Sequence, residues 1–107
     1  MMPPLKLREN FLECARIVRR AWCQRAPAVD KDGNACGPRE ERAVAFCAIG
    51  AIQRICGTMS DEGHEMREAL REVIGMTIAP WNDGCETAEQ VASAFEEAAR
   101  RAVRIRP

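Results

Sequence analysis

Apolar residues recur at helical spacing in four stretches, and turn-forming residues separate them. In the first, Leu7, Phe11, Cys14, Val18 and Ala21 step by four and three, with Leu12, Ala15 and Trp22 widening the stripe. This predicts an amphipathic helix over about Leu7–Gln24, with Glu9, Glu13, Arg16 and Arg20 on its other faces. Pro3-Pro4 marks its start and Arg25-Ala26-Pro27 its end. In the second, Ala43 to Ile52 is apolar throughout and is followed by Ile55 and Cys56. A helix that is apolar nearly all round is touched on several sides, so this stretch reads as the central helix. It is expected to open near Pro38, with Glu40 and Glu41 at the positive end of its dipole, and to stop at Gly57. Ala48, Gly50 and Ala51 leave room on it for another backbone.

Ser60 suits the cap of a third helix with Asp61 and Glu62 in its first turn, Met66, Leu70 and Val73 as its stripe and Gly75 as its stop. Thr87-Ala88-Glu89-Gln90 reads as a capping box opening a fourth. That helix reaches about Arg104, with Val91, Phe95, Ala98 and Ala102 on one face.

The connections differ in character. Asp30-Lys31-Asp32-Gly33-Asn34 has some of the look of a calcium loop. With Gly33 at the sharp turn, however, Ala28 falls where the first ligand belongs and Arg39 where the bidentate glutamate belongs. A tight turn between Ala28-Val29 and Ala35-Cys36 is the better reading, compatible with a two-stranded ribbon. Met76 to Pro80 reads as a packed connecting segment, and Trp81-Asn82-Asp83-Gly84 as a turn anchored by Trp81. The expected architecture is all-α: a single domain over residues 1–107, core about 5–104, with four helices and a turn-rich connection between the first two.

Charge changes this picture more than composition does. The net charge is zero, but residues 1–39 hold eight basic and four acidic side chains, and residues 40–99 four basic and twelve acidic. Residues 100–107 add Arg100, Arg101, Arg104 and Arg106. Basic ends around an acidic middle invite an intramolecular match. The longest apolar run is half a membrane span, so no membrane partner is expected. The first residues hold no apolar stretch of signal-peptide length, which points to the cytoplasm and to reduced thiols. Cys14, Cys23, Cys36, Cys47, Cys56 and Cys85 include no Cys-x-x-Cys, and His64 is the one histidine. Neither a metal site nor a cofactor is therefore expected.

Trp22-Cys23-Gln24, Val29 to Asn34 with Pro38, Ala43-Val44 with Phe46 to Ala51, Trp81-Asn82-Asp83, and Thr87-x-x-Gln90-Val91 together resemble an uncharacterised family. Its members are small helical proteins of bacteria and their phages, known only as a domain of unknown function. The resemblance spans about Cys14 to Ala102. It departs at Phe46, where the pattern has tryptophan, and at Arg25, where it has glycine. It implies a free-standing cytoplasmic domain carried on mobile elements, and brings no catalytic residue with it.

Candidate chemistry is sparse. His64 sits between Glu62 and Glu65 and reads as solvated. Cys23, Cys36 and Cys47 can converge if the ribbon folds over the helices, and Arg19, Arg20 and Arg25 are placed to depress the Cys23 pKa. Asp83 is a candidate carboxylate but reads better as a turn or cap residue. No glycine-rich phosphate loop occurs. A non-enzymatic protein-binding module is the favoured reading, with Glu65, Glu68, Glu72, Glu96 and Glu97 as candidate contacts. The mobile-element resemblance extends this to an inhibitor of a host defence complex such as a CRISPR–Cas nuclease. The alternatives are weak nucleic-acid binding through Arg16, Arg19, Arg20, Arg100, Arg101 and Arg104, and an enzyme with a reactive cysteine.

Overall fold

The structure, a computed structural model, describes residues 1–104. Its elements are α1 (Pro4–Arg20), β1 (Ala28–Val29), β2 (Ala35–Cys36), β3 (Ala45–Phe46), α2 (Ala48–Cys56), α3 (Asp61–Ile74), α4 (Ile78–Gly84) and α5 (Ala88–Ala102). Arg106 lies outside the described residues. The long helices follow their apolar stripes: α1 buries Phe11, Cys14, Ala15 and Val18, and α5 buries Val91, Ala92, Phe95, Ala98 and Ala99. These two faces make the most extensive contact in the fold, with the Phe11 and Phe95 ring centroids 6.2 Å apart. Ile52 of α2 and Met66 and Leu70 of α3 complete the core.

The caps read at Ser60, Gly75 and Thr87 are present, whereas α1 stops at Arg20, short of the expected Gln24. Ser60 accepts the Gly63 N–H, and Thr87 and Gln90 form the reciprocal capping box. Gly75 ends α3 in the left-handed region at φ 74°, a conformation that costs glycine nothing.

Two corrections turn the expected all-α, four-helix domain into a five-helix domain with a small sheet. The first concerns the central helix, which begins at Ala48 rather than near Pro38. Residues 38–44 are irregular, turning over 38–42, and Ala45-Phe46 pairs antiparallel with Ala28-Val29, giving a three-stranded sheet of order β2-β1-β3. A short continuous apolar run is equally compatible with a buried strand, and the helical reading could not separate the two. The Asp30 turn decides the outcome. Asp30 Oδ1 accepts the Asp32 and Asn34 N–H groups, and Gly33 supplies φ +84°. The ribbon this builds presents the free edge of β1 to Ala45 and Phe46. Arg54 holds the 38–42 turns down by donating to the carbonyls of Pro38 and Glu40, its guanidinium 5.5 Å from the Phe46 ring centroid.

The second correction is α4. Trp81-Asn82-Asp83-Gly84, expected as a turn, is helical, and Pro80 sits in the first turn, where a missing N–H leaves nothing unpaired. Turn propensity is overridden because Asn82 points inward instead of bonding its own backbone.

Candidate functional site

Three of the stretches that carry the family resemblance lie far apart in sequence and meet at one side chain. Asn82 is 1% exposed. Its Oδ1 accepts the Trp22 indole N–H at 2.9 Å and the Ala48 N–H at 3.0 Å, and its Nδ2 donates to the Cys23 carbonyl at 3.2 Å. Gln24 Nε2 donates to the carbonyls of Asp83 and Cys85, each at 3.0 Å, which satisfies the end of α4. The chain leaving α1 is also stitched to β3: Trp22 and Phe46 form a parallel bridge, with Phe46 N–H donating to the Ala21 carbonyl and Cys23 N–H to the Phe46 carbonyl. Trp-Cys-Gln, Phe-Cys-Ala and Trp-Asn-Asp thus form one clasp holding the end of α1, the start of α2 and α4 together.

Two features of this clasp explain residues that composition left unexplained. A Cβ on Gly50 would stand 1.7 Å from the Pro27 carbonyl oxygen, so glycine is required there, and the close backbone partner is the Pro27 segment. Arg25 has φ +67°, the one non-glycine residue with positive φ among those described. Its N–H donates to Asp83 Oδ1 at 2.8 Å, which holds the strained turn. This is the position where the resembled pattern has glycine, so the chain keeps that backbone conformation with an arginine in it.

Beside the clasp lies a cleft of about 190 Å³ lined by Arg25, Ala26, Pro27, Cys47, Ile49, Ala79, Asn82 and Asp83. Cys47 is the N-cap of α2, and its Sγ accepts the Gly50 N–H. Cys23 lies next to it, whereas Cys36, on β2, is separated from β3 by β1. Burial pushes the Cys23 thiol up to about 11, with Cys47, Cys36 and Asp83 opposing its ionisation as well, and burial likewise raises Cys47. The expected depression by Arg19, Arg20 and Arg25 does not occur: the Cys23 thiol is raised, and none of the three is among the main influences on it. Asp83 is committed to Arg25 and Asn82, so from within α4 it fixes the turn at Arg25 rather than the one expected at Trp81–Gly84. His64 is exposed on the first turn of α3. Among the described residues, no group of three or more His, Cys, Asp or Glu is placed to hold a metal, and no helix is long and apolar enough to cross a membrane.

The charged candidates divide. Arg19 reaches across from α1 to Glu89 (2.6 Å) and Glu96 (2.8 Å) on α5, which lowers both carboxyl pKa values. Arg100, Arg101 and Arg104 all converge on Glu97, and Arg16 pairs with Glu13. Only Arg20 of the six candidate arginines has no carboxylate partner among the described residues. Of the acidic candidates, Glu96 and Glu97 are consumed in these pairs and Glu65 accepts the Met2 N–H at 2.8 Å. Glu68 and Glu72 remain exposed on α3. They rim a shallow depression of about 410 Å³ with Arg71, Gly75, Met76 and Thr77, where Glu68 contacts Arg71 and Met76 is 48% exposed.

Sequence reading missed Asn82 as an organising residue. The available signal was an asparagine between tryptophan and aspartate in a segment otherwise apolar enough to pack. The model of a family described only as a family of unknown function matches residues 2–101. No curated protein and no solved structure matches the chain.

Proposed function

We propose a binding role for this chain, which belongs to the family of unknown function DUF6197: it is a small non-enzymatic module that docks another protein through the C-terminal half of α3. The observation that carries the reading is the division of charge. Five of the six candidate arginines are spent on Glu13, Glu89, Glu96 and Glu97, whereas Glu72, and Glu68 paired only with Arg71 of its own helix, face outward around the exposed Met76. An acidic rim around an apolar side chain suits a cationic partner surface with an apolar centre. The same pairing argues against a nucleic-acid role, since phosphates would have to displace carboxylates already bound to Arg16, Arg19, Arg100, Arg101 and Arg104. Thiols raised rather than lowered in pKa, and an Asp83 already committed, argue against a reactive-cysteine enzyme.

The phage and mobile-element resemblance supplies the partner class. A defence nuclease such as a CRISPR–Cas effector presents a positively charged nucleic-acid channel, and in the cytoplasm of an infected host the acidic face of α3 would occupy it. The test compares the parent with the Glu68→Arg/Glu72→Arg double variant. We expect the variant to lose capture of its partner and inhibition of a purified effector while its Tm stays within about 2 °C of the parent, because both side chains are exposed. Retained binding in the double variant would overturn the assignment of the face. A salt-sensitive shift of labelled DNA lost on Arg20→Glu would favour the nucleic-acid alternative instead.

A further inference from the structure

We propose that Cys23 and Cys47 are an oxidisable dithiol that closes into an intramolecular disulfide on exposure to a peroxide. The backbone brings the two residues together. Phe46 donates its N–H to the Ala21 carbonyl at 3.1 Å and accepts the Cys23 N–H at 3.2 Å, which fixes Trp22 opposite Phe46 in a parallel pairing. Cys23 follows Trp22 and Cys47 follows Phe46, so both side chains leave the opposite face of the pairing, side by side. Paired strands run about 4.8 Å apart. That lies inside the range of roughly 4.4–6.8 Å between Cα atoms that a disulfide spans.

The other thiols are placed differently. Cys14 is wholly buried in the α1 core, Cys36 faces Cys23 from β2 but has no backbone pairing with residues 22–23 and is separated from β3 by β1, and Cys56 faces the Met66 sulfur at 3.4 Å. Neither member of the Cys23–Cys47 pair is held by a strong partner: Cys23 donates to the Ala26 carbonyl at 3.4 Å and Cys47 accepts the Gly50 N–H at 3.3 Å. Access comes from the cleft, which Cys47 lines and Cys23 does not. Its volume of about 190 Å³ exceeds by several-fold the roughly 30 Å³ that a water molecule occupies, and a peroxide has only two heavy atoms.

The chemistry follows from that asymmetry. The Cys47 thiolate attacks one peroxide oxygen, the O–O bond breaks, and the departing hydroxide takes up the thiol proton as water, leaving Cys47 as the sulfenic acid. The Cys23 sulfur then attacks the Cys47 sulfur and expels the sulfenic oxygen, which leaves as water with the Cys23 proton. Two thiols and one peroxide become one disulfide and two waters, with two electrons passing from sulfur to oxygen. The groups facing the pair are Asp83 from α4, which opposes thiolate formation at both sulfurs, Cys36 from β2, and the Gly50 and Ile49 N–H groups of α2, which favour it at Cys47. The reaction is therefore slow at neutral pH and accelerates about tenfold per pH unit while both thiols remain mostly protonated. Closure draws the Cys47 sulfur off the Gly50 N–H and uncaps α2, so oxidation is felt in the fold as well as at sulfur.

The test treats the folded, full-length protein with excess hydrogen peroxide, blocks residual thiols with an alkylating agent in denaturant, and maps cross-linked peptides by mass spectrometry. The expected result is the loss of two of the six thiols and one cross-link joining the Cys23 and Cys47 peptides. In a Cys23→Ser variant, a sulfenic-acid trap should label Cys47. A cross-link between any other pair, or six thiols surviving conditions that oxidise the denatured chain, would overturn the proposal. Should Cys23→Ser fail to fold, as judged by circular dichroism, the cross-link map of the parent decides alone.

Discussion

The α1–α5 pair and the Asn82 clasp sit at opposite extremes of how this chain holds itself together. Along α1 and α5 the contact is apolar and repetitive, Phe11, Cys14 and Val18 on one side and Val91, Phe95 and Ala98 on the other. No residue there is irreplaceable in kind; what counts is the apolar volume removed from water. At the clasp the contact is polar and singular. One amide serves an indole, a helix N-terminus and the Cys23 carbonyl of the connecting segment, and one glycine lets Pro27 reach the backbone of α2. There, what counts is whether each donor and acceptor finds its partner.

Substitution by leucine tests this contrast most strongly. Phe95→Leu is expected to cost under about 2 kcal/mol, because the neighbours can close on a smaller apolar side chain. Asn82→Leu, which keeps the branching and heavy-atom count of the original, is expected to cost about 3–5 kcal/mol, since it leaves the Trp22 N–H, the Ala48 N–H and the Cys23 carbonyl buried without partners. Urea denaturation of both variants decides the matter, and equal losses would erase the distinction. Next in size is Gly50→Ala, one methyl group. Its Cβ meets a backbone oxygen, which cannot rotate away, so about 2–3 kcal/mol should be lost, while Ala98→Gly on α5 should lose only about 1 kcal/mol.

What could be read in advance follows the same line. Periodicity reports burial of a repeating face, so α1, α3 and α5 and their caps were legible from Met66, Leu70, Phe95, Ser60 and Thr87. The clasp has no period. Asn82 has one role in the folded chain and another in turn statistics, and only its three distant partners select between them. Phe46 was misassigned for a related reason: its strand exists because the Asp30 turn delivers β1 beside it, which an apolar run cannot reveal. Among the charged residues, exposure was legible on α3, but the capture of Glu89 and Glu96 by Arg19, some seventy positions earlier, was not.

Alkaline titration acts on both regions, since burial raises the thiol of Cys14 in α1 as well as those of the clasp. Burial raises the Cys23 pKa to about 11 and also raises that of Cys47, so as pH climbs past about 9 the unfolded chain loses protons that the folded chain keeps. The folded state then binds more protons than the unfolded one, and stability falls with rising pH across that window. Thermal melts between pH 8 and pH 11 should show the decline, and a Cys23→Ala variant should show less of it. The smallest expected effect is at Arg25. Arg25→Gly relieves a left-handed residue worth about 1 kcal/mol but adds chain entropy of similar size, so its Tm should stay level or rise slightly. A valine there, β-branched at φ +67°, should lower it clearly.

The hydrogen bond from Trp22 to Asn82 closes a loop of sixty residues. Bringing such distant points together carries an entropy cost that grows with the logarithm of the separation, and no local contact offsets it in advance. The helices, by contrast, can form turn by turn from neighbouring residues, and the Asp30 hairpin needs only its own few. As with the still longer-range α1–α5 contact, the clasp is therefore expected to form after these local elements. Removing it leaves the climb to the folding barrier almost untouched and shortens the lifetime of the native state, so it sets how long the molecule stays folded more than how fast it gets there.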